Sequence, residues 1–387
     1  MARRRGLILF VAAIAAFVAA GVAAAPFLRG LAFVIRATDV HGVARRLADL
    51  DASSPSEHGL TVPTRDGPLR ARLYEPGTAP RRTVLLVSGL NPAGINEPRL
   101  ITLARQLAAS GVAVVTPEIP DLVNFAITPA ITDAIESAAG WLAGPSGLAR
   151  GRRIGMMGIS FSGGLSIVAA ARPSLRGHVA YIFSFGGHDD LPRVLRYLCT
   201  GIEPTPEGGT VERPPHDYGV AVILLAIADR VVPPEQAAPL GVAVRRYLEA
   251  SQLDMTDKPA AAREFAALRD VARTLPEPSA TLLGYVNGRD VKHLGPRLLP
   301  YIADYGQDPA LSPSKSPKPA VPVFLLHGLD DNVVPVQESQ FLAEDLRAHA
   351  PVRLLLSDLI SHAEADRPMH VRDVWQLAGF WGELLGR

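Results

Sequence analysis

Read by its apolar and polar positions, the chain opens on an uninterrupted apolar run, passes through a polar linker, and then settles into short apolar strands alternating with helices. Leu60–Thr64 and Leu69–Tyr74 flank Arg65-Asp66-Gly67-Pro68, a turn signal, and predict an antiparallel hairpin. From Thr83 the rhythm changes. Thr83–Val87 reads as a buried strand, Arg99–Ala109 as a helix ended by Gly111, Val112–Thr116 as a strand stopped by Pro117, and Pro129–Leu142 as a helix capped by Thr128. A strand then leads into a Gly-rich bend and a helix at Leu165–Ala171, followed by a strand at His178–Phe185. Alternation of this kind predicts a mostly parallel sheet with helices on both faces.

Between 188 and 320 the rhythm breaks. Helical segments such as Pro234–Glu249 and Ala261–Leu275 sit between Pro/Gly-rich loops, the apolar run Val220–Ala228 is read as helix, and a Ser/Pro/Lys linker at Ser312–Pro319 closes the stretch. An insertion of this size inside a parallel sheet predicts a mainly helical cap, here after the sixth strand. The repeat resumes with a strand at Val321–Leu326, a helix at Val336–Ala348, a strand at Val352–Leu356 and a last helix at Val371–Leu385.

The N-terminus reads differently. Arg3-Arg4-Arg5 precede Leu7–Ala25, an apolar stretch of about the length that spans a bilayer. Ala23-Ala24-Ala25 offers a signal-peptidase site, but Pro26 would follow the cut and the run is long for a signal peptide. The expectation is an uncleaved single-pass anchor, with secretion after cleavage as the alternative; the arginines place the N-terminus in the cytoplasm and the folded part outside. Pro26–Ile35 reads as an interfacial helix and Asp51–Glu57 as a linker. Residues 1–57 are thus expected to be anchor and linker, and 58–387 the folded domain with its cap at 188–320. Composition adds little: a net charge of +1 gives no footprint for nucleic acid, and a single cysteine, Cys199, excludes an intrachain disulfide and a thiolate metal site.

The candidate chemistry begins at Gly158-Ile159-Ser160-Phe161-Ser162-Gly163-Gly164. A strand-to-helix corner exposes a serine oxygen above the sheet, beside the unpaired N–H groups of a helix N-terminus. The spacing is a near match to G-x-S-x-G, with Ser162 where the last glycine stands. Taking Ser162 as nucleophile puts a serine two residues before it, so Ser160 is preferred. A serine hydroxyl needs a base, and the base a carboxylate to fix its tautomer. His327-Gly328-Leu329-Asp330-Asp331-Asn332-Val333-Val334-Pro335 follows the strand after the insertion and supplies the carboxylate, Asp331 before Asp330. Asp189 and Asp190, after the sixth strand, compete for that role. His362, in the loop after the last strand, is the candidate base, with His370 as fallback; the order Ser, Asp, His is that of the elbow hydrolases. Glu364, Asp366, His362 and His370 match no helical H-E-x-x-H spacing, so no metal is expected. The oxyanion donors are expected to be the N–H groups of Phe161 and of Leu90, the latter in Ser88-Gly89-Leu90-Asn91-Pro92.

Together these segments resemble the α/β-hydrolases from about His58 onward. Gly158–Gly164 is similar to the nucleophile elbow, Ser88-Gly89-Leu90 to the H-G-x oxyanion loop, and the stretch from His327 to the H-G-x-x-D-x-x-V-P acid loop, which singles out Asp331. Ser88 for histidine and Ser162 for glycine are the departures. The resemblance implies an α/β-hydrolase fold, a Ser160–His362–Asp331 triad, no cofactor, and a small-molecule or lipid-like ester as substrate. A thioesterase or acyltransferase using the same residues, and a catalytically silent scaffold, remain open.

Overall fold

A computed structural model describes residues 21, 23–38, 40–358 and 371–387, the side chain of residue 371 excepted. Eight strands form one sheet: β1 (Ser56–Val62), β2 (Leu69–Glu75), β3 (Arg82–Val87), β4 (Val112–Pro117), β5 (Ile154–Ile159), β6 (Val179–Phe185) and, beyond a two-stranded hairpin of β7 (Ile202–Pro204) and β8 (Thr210–Glu212), β9 (Val323–Gly328) and β10 (Val352–Ser357). Their order across the sheet is β1-β2-β4-β3-β5-β6-β9-β10. The hairpin expected at the N-terminal edge is present, β1 pairing β2 antiparallel and β2 pairing β4 antiparallel. Every other pairing within this sheet is parallel.

The unbroken apolar runs are explained by burial on both faces. Side chains alternate across a strand, so Leu85, Val87, Met156, Ile182 and Leu325 join one core cluster and Val84, Leu86, Met157, Phe183 and Phe324 the other. Helices Pro129–Ala143 and Phe161–Ala170 cover the first face; Pro98–Ala109 and Val371–Leu385 cover the second. The edge strand β1 meets water along most of its length, which suits its charged residues.

Residues 23–37 are helical, in keeping with the helix expected over Pro26–Ile35, and they lie on the C-terminal helix. Phe33 stacks on Trp381 at 4.1 Å and Phe27 on Trp375 at 4.1 Å. Arg36 reaches across to the Ala48 carbonyl at 2.5 Å and the Ser110 hydroxyl at 2.7 Å. Most of the apolar run at 7–25 lies outside the described residues; among the described residues no helix is long and apolar enough to cross a membrane.

The insertion holds helices Leu191–Thr200, Asp217–Ala226, Pro234–Leu253, Lys258–Thr274, Ser279–Asn287 and Val291–Leu298. Val220–Ala228 falls mainly in the second of these, as read from the sequence. The small β7–β8 hairpin was not expected, because strands of three residues leave no period to detect. Two local expectations are corrected. Thr128 does not cap the helix at Pro129; its hydroxyl donates to the Asp121 carboxylate instead. Ser312–Pro319 is packed structure, with Ser312 buried and its hydroxyl accepting the Leu191 N–H at 2.9 Å.

Candidate active site

Parallel strands deliver their following loops to one edge of the sheet, where such folds bind ligands. Here the loops after β3, β5, β6 and β9 meet, because those four strands are neighbours in the order β3-β5-β6-β9. Two strand spacings separate β5 from β9, about 10 Å.

Ser160 stands between β5 and the helix Phe161–Ala170 with φ 57° and ψ −133°, a backbone conformation that costs a non-glycine residue of order 1–3 kcal/mol. Its neighbours hold it there. The Ser160 N–H donates to the Phe185 carbonyl on β6 at 2.7 Å, and its carbonyl accepts the Gly163 N–H at 2.8 Å. Close packing of helix on strand explains Gly158: a Cβ there would lie 2.2 Å from the Ser162 carbonyl oxygen, which is backbone and cannot swing aside. Strand order and corner together decide the architecture.

The fold is that of the α/β-hydrolases. No family model and no curated protein matches the chain. Solved structures do resemble it: an acylaminoacyl peptidase of Pyrococcus horikoshii at 12% identity and TM-score 0.44, with 89% of this chain and 42% of that one covered; an esterase of Pyrobaculum calidifontis at 19% and 0.44, with 85% of each chain covered; and a dienelactone hydrolase of Anabaena variabilis at 17% and 0.42, with 86% and 98% covered. The chain spans about two fifths of the length of the acylaminoacyl peptidases.

In this α/β-hydrolase fold the Ser160 side chain is partly open to solvent, and among the described residues its hydroxyl has no hydrogen-bond partner. Ser162 is the opposite. It is fully buried, and its hydroxyl donates to the Ser88 carbonyl, so it is engaged in holding the loop after β3 and is a poor rival nucleophile. That loop lies against the corner: a Cβ on Gly89 would be 3.3 Å from the Ser160 Cβ, which puts the Gly89–Leu90 peptide beside Ser160. Phe161 opens the helix, so its N–H has no helical carbonyl four residues back and is available to a ligand.

Asp331 follows β9 and is 2% exposed, whereas Asp330 beside it is exposed. One Asp331 carboxylate oxygen accepts the N–H groups of Val333 at 2.9 Å and Val334 at 3.0 Å. The other lies 3.4 Å from His327 Nε2 and faces Gly186 at the end of β6. Two N–H donors on one oxygen fix the direction of the carboxylate. His327, the first residue of the acid loop, is also fully buried. Its Nε2 lies 2.9 Å from the Val334 carbonyl, to which it donates, and its Nδ1 lies 2.6 Å from the Ser339 hydroxyl. It is thus a brace for the loop carrying Asp331, a role that the sequence motif does not disclose. His362, His370, Glu364 and Asp366 lie outside the described residues; among the described residues no cluster of His, Cys, Asp or Glu is arranged to hold a metal.

The rival carboxylates are otherwise employed. Asp190 caps the helix Leu191–Thr200 by accepting the Arg193 N–H at 2.9 Å. Asp189 accepts from the Arg193 guanidinium at 3.1 Å, and Arg193 also pairs with buried Glu338, which accepts the N–H groups of Asp189 and Asp190. Burial, reinforced by the charge of Glu338, pushes the Asp189 carboxyl up to about 7. A raised acid pKa means that the folded chain holds a proton which the unfolded chain releases, so this group destabilises the fold progressively from about pH 4 to about pH 7. Asp189→Asn is therefore expected to unfold at higher denaturant than wild type at pH 8, by about 1–3 kcal/mol, with the gap narrowing toward pH 4. Urea midpoints across that range measure it, and a gap constant with pH refutes it.

The insertion meets both loops. Tyr218 donates its hydroxyl to the Leu90 carbonyl at 3.3 Å, and Gln252 accepts from the Asn91 amide at 3.1 Å. On the other side Tyr197 and the His216 N–H donate to the Asn332 carbonyl at 3.3 and 2.8 Å, while Arg213 donates to the Leu329 carbonyl at 2.9 Å. The insertion is thus braced on the loops after β3 and β9, on either side of the Ser160 corner.

Proposed function

We propose that the chain is a serine hydrolase whose substrates are carboxylic esters. The observation that carries this reading is Ser160, held at positive φ on the strand-to-helix corner with Gly89 against its Cβ and with a buried, directed carboxylate, Asp331, after the second strand along. In this reading Ser160 Oγ attacks the acyl carbon as the His362 imidazole takes its proton, and Asp331 holds that imidazole in the required tautomer. The N–H groups of Leu90 and Phe161 receive the charge that develops on the carbonyl oxygen. His362 then returns the proton to the leaving alcohol, and water repeats the attack to free the acid. His362 enters from its place in the chain, between β10 and the helix Val371–Leu385.

We also propose that the N-terminal apolar run anchors the chain in a membrane with the catalytic domain on the extracytoplasmic side, near lipid or envelope esters. Apolar residues of the helices Asp217–Ala226 and Pro234–Leu253 would then line the acyl side of the site. A fluorophosphonate probe, which forms a bond with an activated serine, tests the reading together with p-nitrophenyl esters of increasing chain length. The expected result is stoichiometric labelling at Ser160 and saturable ester turnover. A folded protein that takes no label and turns over no ester of the series is the scaffold instead.

A further inference from the structure

The serine that replaces glycine at 162, and a tyrosine from the insertion, both end on the loop after β3, and their placement gives the departure a purpose. The N–H of Leu90 belongs to the Gly89–Leu90 peptide. Two other peptides flank it, and each is tied. The Ser88 carbonyl, at the Ser88–Gly89 peptide, accepts the Ser162 hydroxyl. The Leu90–Asn91 peptide is held from both ends: its carbonyl accepts the Tyr218 hydroxyl at 3.3 Å, and its N–H donates to the Leu122 carbonyl at 3.2 Å. In a trans peptide these groups point in opposite directions, so two partners on opposite sides fix the plane. With the Leu90–Asn91 plane fixed and the Ser88 carbonyl tethered, the middle peptide has few ways to rotate and its N–H is steered toward one direction.

Glycine needs such help. A Cβ at residue 89 would stand 3.3 Å from the Ser160 Cβ, a tight contact that glycine avoids, but glycine alone would leave the peptide free to turn over. A peptide turned over would present the Gly89 carbonyl, an acceptor, where a donor is required. Ser162 and Tyr218 are 0% and 8% exposed, so water does not compete for either hydroxyl. Tyr218 also packs its ring edge-on to Phe125 at 6.0 Å, which sets the hydroxyl in place.

We propose that Ser162 and Tyr218 are positioning residues that preset the Leu90 oxyanion donor, one from the elbow helix and one from the cap. This rests on the serine-hydrolase reading above. Neither hydroxyl touches the reacting atoms; each acts through the backbone it holds. The insertion is thereby part of the catalytic frame.

The test is Tyr218→Phe, Ser162→Ala and the double variant in the full-length chain, each of which removes a hydroxyl and keeps the packing. Loss of a complete oxyanion donor typically costs about 10²–10³ in turnover, so a misdirected one is expected to lower kcat about 5- to 30-fold, with KM within about twofold. A trifluoromethyl ketone, whose adduct with Ser160 carries the oxyanion, should bind each variant more weakly by the same factor as kcat. A purely structural role would leave that parallel absent. Unchanged kcat in both single variants, or raised KM at constant kcat, overturns the inference while wild-type turnover and an inactive Ser160→Ala leave the hydrolase reading standing. Wild type that neither labels nor turns over ester sinks the hydrolase reading itself. Should Ser162→Ala fail to fold, Tyr218→Phe alone decides.

Discussion

Ser160→Ala is expected to lower ester turnover about 10⁴- to 10⁶-fold and leave the fold intact. The first half follows from chemistry: without Oγ no acyl-enzyme forms, and what remains is binding plus the oxyanion donors. The second half follows from packing. Among the described residues the Ser160 hydroxyl makes no hydrogen bond, so its removal strands no buried partner. Alanine keeps the Cβ that meets Gly89, and it is no more strained than serine at φ 57°. Unfolding free energy should therefore stay within about 0.5 kcal/mol of wild type. Turnover near the wild-type rate would remove Ser160 from the mechanism. Ser162 offers no easy rescue, since its hydroxyl is committed to the Ser88 carbonyl.

What the sequence disclosed, and what it hid, divides along one line. Strands buried on both faces stand out as short unbroken apolar runs between turn and helix signals, so β3, β4, β5, β6, β9 and β10 were legible to within about two residues, as was the corner at Ser160. Hydrogen bonds between distant segments leave no such trace. Nothing in the run Asp217-Tyr218-Gly219 announces that Tyr218 would reach the Leu90 carbonyl, far away in the chain. Ser162 was visible only as a departure from glycine, and its meaning depended on the position of Ser88. Asp189 and Asp190 looked eligible as the acid because they follow a strand at the correct edge; Arg193 and Glu338, which engage Asp189, are four and 149 residues away. Thr128 shows the same limit in miniature: a good capping residue was taken by an acid seven residues back, Asp121.

That distinction sets up the second large effect. Asp331→Asn is expected to lower kcat about 10³- to 10⁴-fold, whereas Asp189→Asn should leave it within about twofold. An asparagine at 331 can keep its carbonyl oxygen on the Val333 and Val334 N–H groups, so its orientation survives. Its NH₂ then stands where the second carboxylate oxygen was, and donates where an imidazole needs an acceptor. The base is left in the wrong tautomer, and the imidazolium that forms during attack loses its counter-charge. Charge-assisted bonds become neutral ones, so the fold should lose about 1–2 kcal/mol, too little to account for the drop in rate. Raising pH would not restore activity, because deprotonating the imidazole neither corrects its tautomer nor returns the missing counter-charge. Steady-state kinetics from pH 6 to 9, beside urea titrations of the same samples, separate the two causes. A fully active Asp331→Asn with an inactive Asp189→Asn would move the acid to the end of β6, and the braces on the loop after β9 would then need another explanation.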